Sequence, residues 1–304
     1  MRRLSILTPS FNYAWCIEDA LKSVAQAAGF VPGGWAVEHV VVDDASTDES
    51  GEILERWRDR VVLERQTENQ GQSRTLNRAL ALSSGEWIGW LNSDDFFLPL
   101  SLADASRAFD DEDADVIYGD VALLDGSARL LRLMTEHPFS LWTLRWWGTY
   151  LAVGTVFLRR DLVSRLRWRE DLSLLLDWDL WLRAAESGAR FRYLPRPLAA
   201  VRRHPGQESR QDRPDRLTEK ATVRREHRLP SRPWMWRAAQ RVAALTHGVQ
   251  KLAAGGYARE QRAGAVRGRP MRWFEDPEAR STVDSLYELV YGGRSDGTLP
   301  SREG

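Results

Sequence analysis

The first hundred residues alternate short β-rich runs with amphipathic helical stretches, and this alternation constrains the fold more than any other feature of the chain. Strands that alternate with helices form a mostly parallel sheet with helices on both faces. The sequence therefore predicts an α/β fold. The expected strands are 4–8, 37–42, 61–63 and 87–91, and the expected helices are 14–28 and 72–82.

The middle of the chain is less regular, and the segment after His204 becomes a polar linker followed by helices. We therefore expect an α/β domain over residues 1–206 and a mainly helical, basic extension over 207–304. The predicted elements are strands at 115–118 and 121–124, a hairpin turn at Asp125-Gly126, a helix over 177–187, strands at 190–193 and 198–201, and helices over 233–254 and 282–291.

A formal net charge of zero conceals a basic segment near the end of the chain. Residues 220–273 contain thirteen Lys or Arg but only Glu226 and Glu260 as acidic side chains. A basic arm favours anionic surfaces. The helix over 233–254 has an apolar side and several basic positions, as in a helix that lies on a membrane surface. Packing of this helix on the α/β domain is the alternative. We expect no nucleic-acid binding, because no recognition motif is present.

Several other classes of protein are excluded or disfavoured. The single Cys16 excludes a disulfide scaffold and a cysteine-based zinc cluster. No apolar run reaches the ~20 residues of a transmembrane helix, and the start does not resemble a signal peptide, so we expect a cytoplasmic protein. The glycine-rich fingerprints of dinucleotide and P-loop sites are absent.

Polar residues follow three of the predicted strands. In parallel α/β sheets, ligands bind at the carboxyl ends of the strands. Each segment alone could be an ordinary loop, and Ser46 with Glu49 predicts a capping box that opens the next helix. Together the segments predict a ligand site. They are Thr8-Pro9-Ser10-Phe11-Asn12, Asp43-Asp44-Ala45-Ser46 and Asn92-Ser93-Asp94-Asp95.

The neighbouring carboxylates of Asp94 and Asp95 predict a metal site. Two adjacent carboxylates repel each other unless a cation or several hydrogen-bond donors neutralise them. A short acidic loop suits Mg²⁺ or Mn²⁺, which are held by one or two carboxylates together with phosphate oxygens and water. A solvated turn is the alternative interpretation.

Five segments of the chain form a pattern in their order and spacing. They are Ser5 to Asn12, Val41 to Asp48, Glu68-Asn69-Gln70-Gly71 with Asn77, Leu91 to Asp95, and Leu176 to Arg183. With these segments, residues 4–206 resemble the family 2 glycosyltransferases with the GT-A fold. The resemblance implies an inverting transfer of a sugar from a nucleotide-sugar, by default UDP-linked, to an acceptor hydroxyl on a polysaccharide or lipid-linked glycan of the bacterial envelope.

The same resemblance implies roles for individual residues in binding the nucleotide-sugar. Asn92 departs from the family pattern, which often has Asp at this position, so the metal role depends on Asp94 and Asp95, with His204 completing the metal shell or contacting the diphosphate. Arg74 is equally consistent with a solvated helix residue. The implied nucleotide-binding residues are Thr8, Pro9 and Phe11 beneath the base, Asp43 or Asp44 as acceptors from the base, Arg74 as a nearby cation, Asn92 at the ribose, and Asp94 at the diphosphate.

Asp177 aligns with the general base of the family, which takes the proton of the acceptor hydroxyl. Leu176 replaces the Glu that usually precedes the base. A helix-capping Asp without a catalytic role is the alternative. Asp179 is a second candidate, although its spacing from Arg183 predicts a surface salt bridge.

Further expectations concern the acceptor, the number of transfers and the possible loss of activity. Four Trp residues near Asp177 in the sequence could stack on a sugar: Trp142, Trp146 and Trp147 between the acidic motif and Asp177, and Trp178 directly after Asp177. The motif Gln-x-x-Arg-Trp of polymerising members is incomplete at 269–273, which predicts a single transfer. Because Asn92 and Leu176 stand where acids are common, the alternative is a catalytically inactive nucleotide-sugar-binding or scaffolding paralogue.

Overall fold

The computed structural model describes residues 1–110, 113–207, 215–229 and 233–292, and within these ranges nine strands form one mixed sheet. The strands are β1 (Arg2–Ser10), β2 (Trp35–Asp43), β3 (Val62–Arg65), β4 (Trp87–Trp90), β5 (Phe96–Phe97), β6 (Val116–Leu124), β7 (Leu130–Met134), β8 (Phe157–Arg159) and β9 (Phe191–Arg202). Their spatial order is β3-β2-β1-β4-β8-β6-β9-β5, and β7 pairs with the second half of β6.

The helices cover the sheet and form most of the described part of the extension. None of them combines the length and the apolar character of a membrane-spanning segment. They are α1 (Ile17–Ala28), α2 (Ser50–Arg56), α3 (Gln72–Leu82), α4 (Ser101–Ala108), α5 (Leu141–Trp146), α6 (Arg160–Leu166), α7 (Leu176–Glu186), α8 (Asp215–Glu226), α9 (Pro233–Ala253), α10 (Gly256–Ala263) and α11 (Pro277–Tyr291).

The central strands bury side chains on both faces, as the near-continuous apolar runs predicted. Leu4 and Ile6 of β1 pack in the same core as Val24 of α1. Leu7, one residue further along β1, packs on the opposite face in the same core as Leu76 of α3. This alternation follows from the two-residue period of a strand. The predicted α/β fold is confirmed.

Strand directions bring several carboxyl ends to one edge of the sheet. Strands β1, β2, β3 and β4 are parallel. Strand β8 is antiparallel to both β4 and β6, so β6 runs in the direction of β4, and β9 is parallel to β6. The residues that follow β1, β2, β4 and β9 therefore share this edge.

The extension contributes to the same core as the sheet. Met271, Trp273, Leu286 and Val290 are buried in the cluster that contains Leu4. The indole Nε1 of Trp273 donates a hydrogen bond to the carbonyl of Phe97 in β5 at 2.9 Å. The domain boundary at residue 206 remains a prediction. Residues 208–214, 230–232 and 293–304 of the predicted extension lie outside the described residues.

The predicted capping box at Ser46 is wrong. Helix α2 begins at Ser50, directly after Glu49. The hydroxyl and the backbone N–H of Ser46 instead donate to Oδ1 of the fully buried Asp43. A buried carboxylate without hydrogen-bond donors destabilises the fold more than an exposed helix end without a cap does. Ser46 therefore donates to Asp43 and does not cap a helix.

Two predicted strand pairs are each a single strand, and part of the predicted linker is a helix. The segments 115–118 and 121–124 merge in β6, and 190–193 and 198–201 merge in β9. These two strands pair along their length, with register shifts around Asp120 that absorb the irregular residues. Helix α8 forms where the sequence indicates a linker, because its Glu219 binds backbone N–H groups of residues 173–175.

Candidate functional site

The loops that follow β1, β2 and β4 are hydrogen-bonded to one another. Asn12 accepts from the backbone N–H of Thr47 at 2.8 Å, and the hydroxyl of Ser93 donates to the carbonyl of Pro9 at 2.7 Å. Asn12 and Ala45 adopt left-handed backbone conformations, with φ of 58° and 62°. Non-glycine residues rarely adopt this conformation, and such strain is common at functional sites. The three predicted segments form one surface at the edge of the sheet.

The structure brings the three predicted metal-binding residues together. Asp94, Asp95 and His204 are all buried. Nε2 of His204 lies 3.0 Å from Oδ2 of Asp94, and the backbone N–H of Arg202 donates to Oδ1 of Asp95 at 3.0 Å. Burial and the charge of Asp94 raise the pKa of Asp95 well above its ordinary value. A cation beside the pair would offset this repulsion.

The composition of this acidic cluster suits Mn²⁺ or Mg²⁺, since two carboxylates and an imidazole leave positions for phosphate oxygens and water. The possible ligand atoms of Asp94, Asp95 and His204 do not all lie within 4.8 Å of one another. Among the described residues, that criterion is met by Glu136, His137 and His247. An ion at Asp94 and Asp95 would therefore depend on oxygens from a bound phosphate or water to complete its shell.

The two aspartates at the end of β2, Asp43 as its last residue and Asp44 directly after it, are hydrogen-bonded within the protein. Asp43 accepts from Ser46 and from the guanidinium of Arg65, at 3.0 Å for the latter. Asp44 accepts from the backbone N–H groups of residues 70 and 71, at 2.7 and 2.8 Å. These bonds place the loop before α3 against the end of β2. Both carboxylates are buried.

The predicted base-binding residues at the end of β1 differ in exposure. Thr8 is fully buried, and its hydroxyl lies 2.9 Å from Nε2 of His39 inside the sheet. Pro9 is also buried. Phe11, by contrast, leaves 40% of its surface exposed. Of these three predicted residues, Phe11 offers an apolar ring to a ligand.

Arg74 and Asn92 lie at the start of α3 and the end of β4. The exposed guanidinium of Arg74 forms an ion pair with the exposed Glu170 at 3.1 Å. Oδ1 of Asn92 accepts from Nε1 of Trp90 and from the amide of Gln72, at 2.9 and 3.0 Å. Asn92 is thus held in one orientation at the edge of the sheet, whereas Arg74 is placed in a solvent-exposed pair.

Asp177 lies in the first turn of α7. The segment before this helix is bound to the start of α3, where the hydroxyl of Ser73 donates to the carbonyl of Leu172 at 2.7 Å. Burial raises the pKa of Asp177 to about 6, although its carboxylate accepts from the backbone N–H of Trp178 at 2.6 Å. Because α7 begins at Leu176, Asp177 is inside the helix and is not its N-cap residue.

Asp179 forms the predicted ion pair with Arg183 at 2.7 Å, but the prediction of a surface position is wrong. Asp179 is fully buried and also binds Arg169 and His227, at 3.5 and 3.2 Å. Burial would raise the pKa of Asp179, but His227 and the two arginines lower it below its ordinary value. His227 follows α8, and sequence spacing could not reveal this contact.

Sequence reasoning missed two groups next to the acidic cluster. The half-exposed ring of Trp15 meets the ring of His204 edge-on, with centroids 4.9 Å apart. The position of Trp15 three residues after the end of the first polar segment was the available signal. The buried Asp19 pairs with Arg202 and with Arg272, the latter at 2.6 Å. No local pattern indicates this pair, because Arg272 comes from the extension.

The four Trp residues suggested for sugar stacking fall into different environments. Trp142 and Trp147 are exposed, whereas Trp178 is buried and donates from Nε1 to the carbonyl of Leu144 at 2.7 Å. Trp146 is partly buried between the rings of Trp142 and Trp236. A sugar could reach the two exposed rings.

Comparison with known proteins shows similarity to glycosyltransferases. Residues 5–166, just over half of the chain, match the family model for glycosyl transferase family 2. The chain is 31% identical over 197 residues to the succinoglycan biosynthesis protein ExoU of Rhizobium meliloti, which is 58% of this chain and 57% of ExoU. It is 32% identical over 120 residues to poly(ribitol-phosphate) beta-N-acetylglucosaminyltransferase TarS of Staphylococcus aureus, which is 38% of this chain and 20% of TarS. The matches thus span less than two thirds of these relatives.

Solved structures show the same fold at low sequence identity. Residues 1–349 of S. aureus TarS in complex with UDP-GlcNAc align with a TM-score of 0.59 and 19% identity, over 95% of this chain and 82% of that one. The mannosyltransferase PcManGT of Pyrobaculum calidifontis, in complex with GDP-Man and Mn²⁺, aligns with a TM-score of 0.53 and 19% identity, over 96% and 88% of the two chains. The predicted GT-A architecture is confirmed, and the chain belongs to glycosyl transferase family 2.

Proposed function

We propose that the chain is an inverting, metal-dependent glycosyltransferase that moves a sugar from a nucleotide-sugar to an acceptor hydroxyl. The observation that carries the proposal is the convergence of Asp94, Asp95 and His204 at the carboxyl edge of the sheet. Asp177 lies on a helix whose preceding segment is bound to α3 beside that edge. In this proposal, the acidic residues would bind a diphosphate and Asp177 would be a separate carboxylate for the acceptor.

Asp94 and Asp95, with His204 beside them, would hold Mn²⁺ or Mg²⁺. Such an ion offsets the negative charge that grows on a departing diphosphate. The ring of Phe11, which is 40% exposed, would contact the base. Asn92, whose side chain is oriented by Trp90 and Gln72, would bind the ribose.

Asp177 would accept the proton of the acceptor hydroxyl as the sugar is transferred. A general base works best when its pKa lies near the working pH, and burial raises that of Asp177 to about 6. At neutral pH most of this carboxylate is ionised and is a stronger base than an exposed Asp. Direct displacement assisted by this base would invert the anomeric configuration.

The names of the similar proteins guide the proposed substrates. Structures of TarS contain UDP or UDP-GlcNAc, and PcManGT was solved with GDP-Man. ExoU is named for succinoglycan biosynthesis, and TarS for a poly(ribitol-phosphate) acceptor. We assign a UDP-linked sugar as the donor and a polysaccharide or lipid-linked glycan as the acceptor.

A thermal-shift screen of the full chain tests the donor and the metal together. We expect uridine diphosphate to raise the melting temperature in the presence of Mn²⁺ and to have little effect without it, since a ligand stabilises the state that binds it. Asp95→Asn should remove the response, and the exposed control Asp59→Asn should keep it. An equal response without metal, or in Asp95→Asn, would contradict the metal assignment.

The inactive-paralogue alternative predicts binding without turnover. The departures at Asn92 and Leu176 motivate this alternative. We would incubate the chain with UDP-sugars and Mn²⁺, with and without glycan acceptors, and measure the released uridine diphosphate. This measurement distinguishes an active enzyme from an inactive paralogue. Release that depends on Asp177 supports the enzyme, whereas metal-dependent binding without release across the donor panel supports the paralogue.

We further propose that α9 touches an anionic membrane surface. Trp236 and Ala243 are buried on its inner face, whereas Leu245, Val249 and Leu252 are exposed on its outer face. The exposed basic side chains Arg237 and Arg241 complement anionic headgroups. The helix thus packs on the body and still presents an apolar stripe.

Co-sedimentation with anionic phospholipid vesicles tests this contact. The double variant Leu245→Gln/Val249→Gln should bind several-fold more weakly than the wild type. Leu217→Gln removes an equally exposed apolar side chain from α8 and should bind like the wild type. Equal binding by all three proteins, or binding that ignores the anionic lipid content, would refute the membrane contact.

A further inference from the structure

A buried group of metal-ligating side chains lies away from the acidic cluster, where α9 packs against the segment after β7. A carboxylate oxygen of Glu136 and ring nitrogens of His137 and His247 lie within 4.8 Å of one another. Glu136 and His137 are buried, and His247 is partly buried. Two imidazoles and one carboxylate form a ligand set that zinc takes in proteins, with further positions left for water.

The two histidine rings are already oriented for such a role. Nδ1 of His137 lies 2.7 Å from the carbonyl of Pro138, and because a carbonyl can only accept, Nδ1 carries the proton. Nε2 of His137 therefore presents its lone pair to Nδ1 of His247, 2.9 Å away. A hydrogen bond from the second nitrogen to a carbonyl is the usual way in which ligating histidines are oriented. The ring of Tyr150 stacks on His137, with centroids 4.9 Å apart.

The carboxylate of Glu136 indicates a cation site independently of the two histidines. Its side chain is more than nine-tenths buried, and its Oε2 has no hydrogen-bond partner among the described residues. A buried carboxylate oxygen without a partner destabilises a fold. Burial raises the pKa of Glu136 to about 8, although the ammonium of Lys251 opposes this. Lys251 itself is paired with Glu260 at 2.6 Å. A cation would supply the partner that Glu136 lacks.

We propose that Glu136, His137 and His247 bind one divalent ion of the zinc class, separate from any ion at Asp94 and Asp95. The ion would join α9 to the segment after β7. On binding, His247 moves its proton from Nδ1 to Nε2, and Glu136 releases its proton to solvent, so each ligand offers a lone pair. The two ring nitrogens, 2.9 Å apart, must separate slightly, to the ~3.3 Å expected for two nitrogens on one tetrahedral zinc.

Zinc binding by the full chain, after removal of metal with a chelator, tests the proposal. Calorimetry should give about one zinc per chain at this site. Glu136→Gln and His247→Gln should weaken that binding by at least about tenfold, whereas His204→Gln, which alters the acidic cluster, should retain it. Zinc at a hundredfold excess over its Kd should raise the melting temperature by about 4 °C in the wild type and in His204→Gln.

Two results would overturn the proposal. One is the absence of zinc binding, or binding that is equally tight in folded Glu136→Gln and His247→Gln proteins. The other comes from the wild type alone, so it does not depend on whether the variants fold. X-ray absorption of the zinc-loaded protein should show two imidazoles on the ion, and a shell with one imidazole or none would place the zinc elsewhere. None of these readouts depends on sugar transfer.

Discussion

At the scale of single residues, the fold holds the carboxylates proposed for the metal and for the base at a cost to its stability. Asp95 is buried and Asp177 is partly buried, and the loss of water around each carboxyl group is the main reason why the pKa of both is raised. Asp43 and Asp44, by contrast, are satisfied by hydrogen bonds within the strand-end loops. Residues that destabilise the fold and still persist are expected at functional sites.

Replacing Asp177 by Asn tests the base. Turnover should fall by about 10²- to 10⁴-fold, because Asn cannot accept the proton. The affinity for uridine diphosphate with Mn²⁺ should stay unchanged. Near wild-type turnover would exclude Asp177 as the base.

The same variant separates catalysis from helix capping through stability. Because the pKa of Asp177 is raised to about 6 in the fold, its ionisation destabilises the fold progressively from about pH 4 and fully above about pH 6. Asp177→Asn should therefore leave the melting temperature at pH 7.5 unchanged or raise it by a few degrees. A capping Asp would instead stabilise the fold by about 1 kcal/mol, and its loss would lower the melting temperature. Thermal unfolding of the two proteins at pH 5 and 7.5 measures the difference.

The pH profile of the wild type provides a further check. Because the base must be ionised, kcat/KM should rise as the pH climbs through about 6. A profile that is flat between pH 5 and 7.5 would contradict this assignment.

At the scale of elements, ion pairs join helices that are distant in sequence. His227, after α8, contacts Asp179 and Glu186 of α7, at 3.2 and 2.8 Å. Burial would lower the pKa of His227, but the two carboxylates raise it above its ordinary value. The contacts of protonated His227 with Asp179 and Glu186 therefore stabilise the fold fully below about pH 6.5. This stabilisation is lost as the pH rises through the raised pKa of His227.

His227→Gln should destabilise the chain in a pH-dependent way. At pH 6 we expect a loss of about 2 kcal/mol in the free energy of unfolding, as for a charge-assisted hydrogen bond. At pH 9 the loss should be clearly smaller. Denaturant unfolding at both values measures it, and an equal loss at the two values would show that the charge of His227 is unimportant.

The elements also show how far the sequence could be interpreted. Helices such as α3 and the central strands were predicted because the apolar period of a helix and the continuous apolar run of a central strand are local features of the sequence. The burial of Asp179 and the group at His137 were not, because His227 and His247 approach them from 48 and 110 residues away. The site residues after β1, β2 and β4 could be named because parallel strands place their carboxyl ends together.

At the scale of the whole molecule, the extension and the sheet share one core. Trp273, from the segment between α10 and α11, is buried with Phe30 and Phe274 against it. The pair of Asp19 with Arg202 and Arg272 links this segment to the acidic cluster. Changes in the extension should therefore affect the stability of the whole chain.

Trp273→Ala should destabilise the chain by about 3–5 kcal/mol, because it leaves a large cavity and removes the hydrogen bond to Phe97. Trp234→Ala is the control, since Trp234 is exposed on α9, and it should change stability by less than about 0.5 kcal/mol. Denaturant unfolding compares the two variants. Equal effects would show that the extension does not share the core.

The position of a bound manganese ion decides whether Asp94 and Asp95 hold the metal. Anomalous diffraction at the manganese edge, from crystals grown with Mn²⁺ and uridine diphosphate, locates the ion without reference to activity. We expect a peak beside Asp94 and Asp95 with the diphosphate next to it. A bound diphosphate with its manganese elsewhere, or with no peak at these carboxylates, would exclude the proposed metal site.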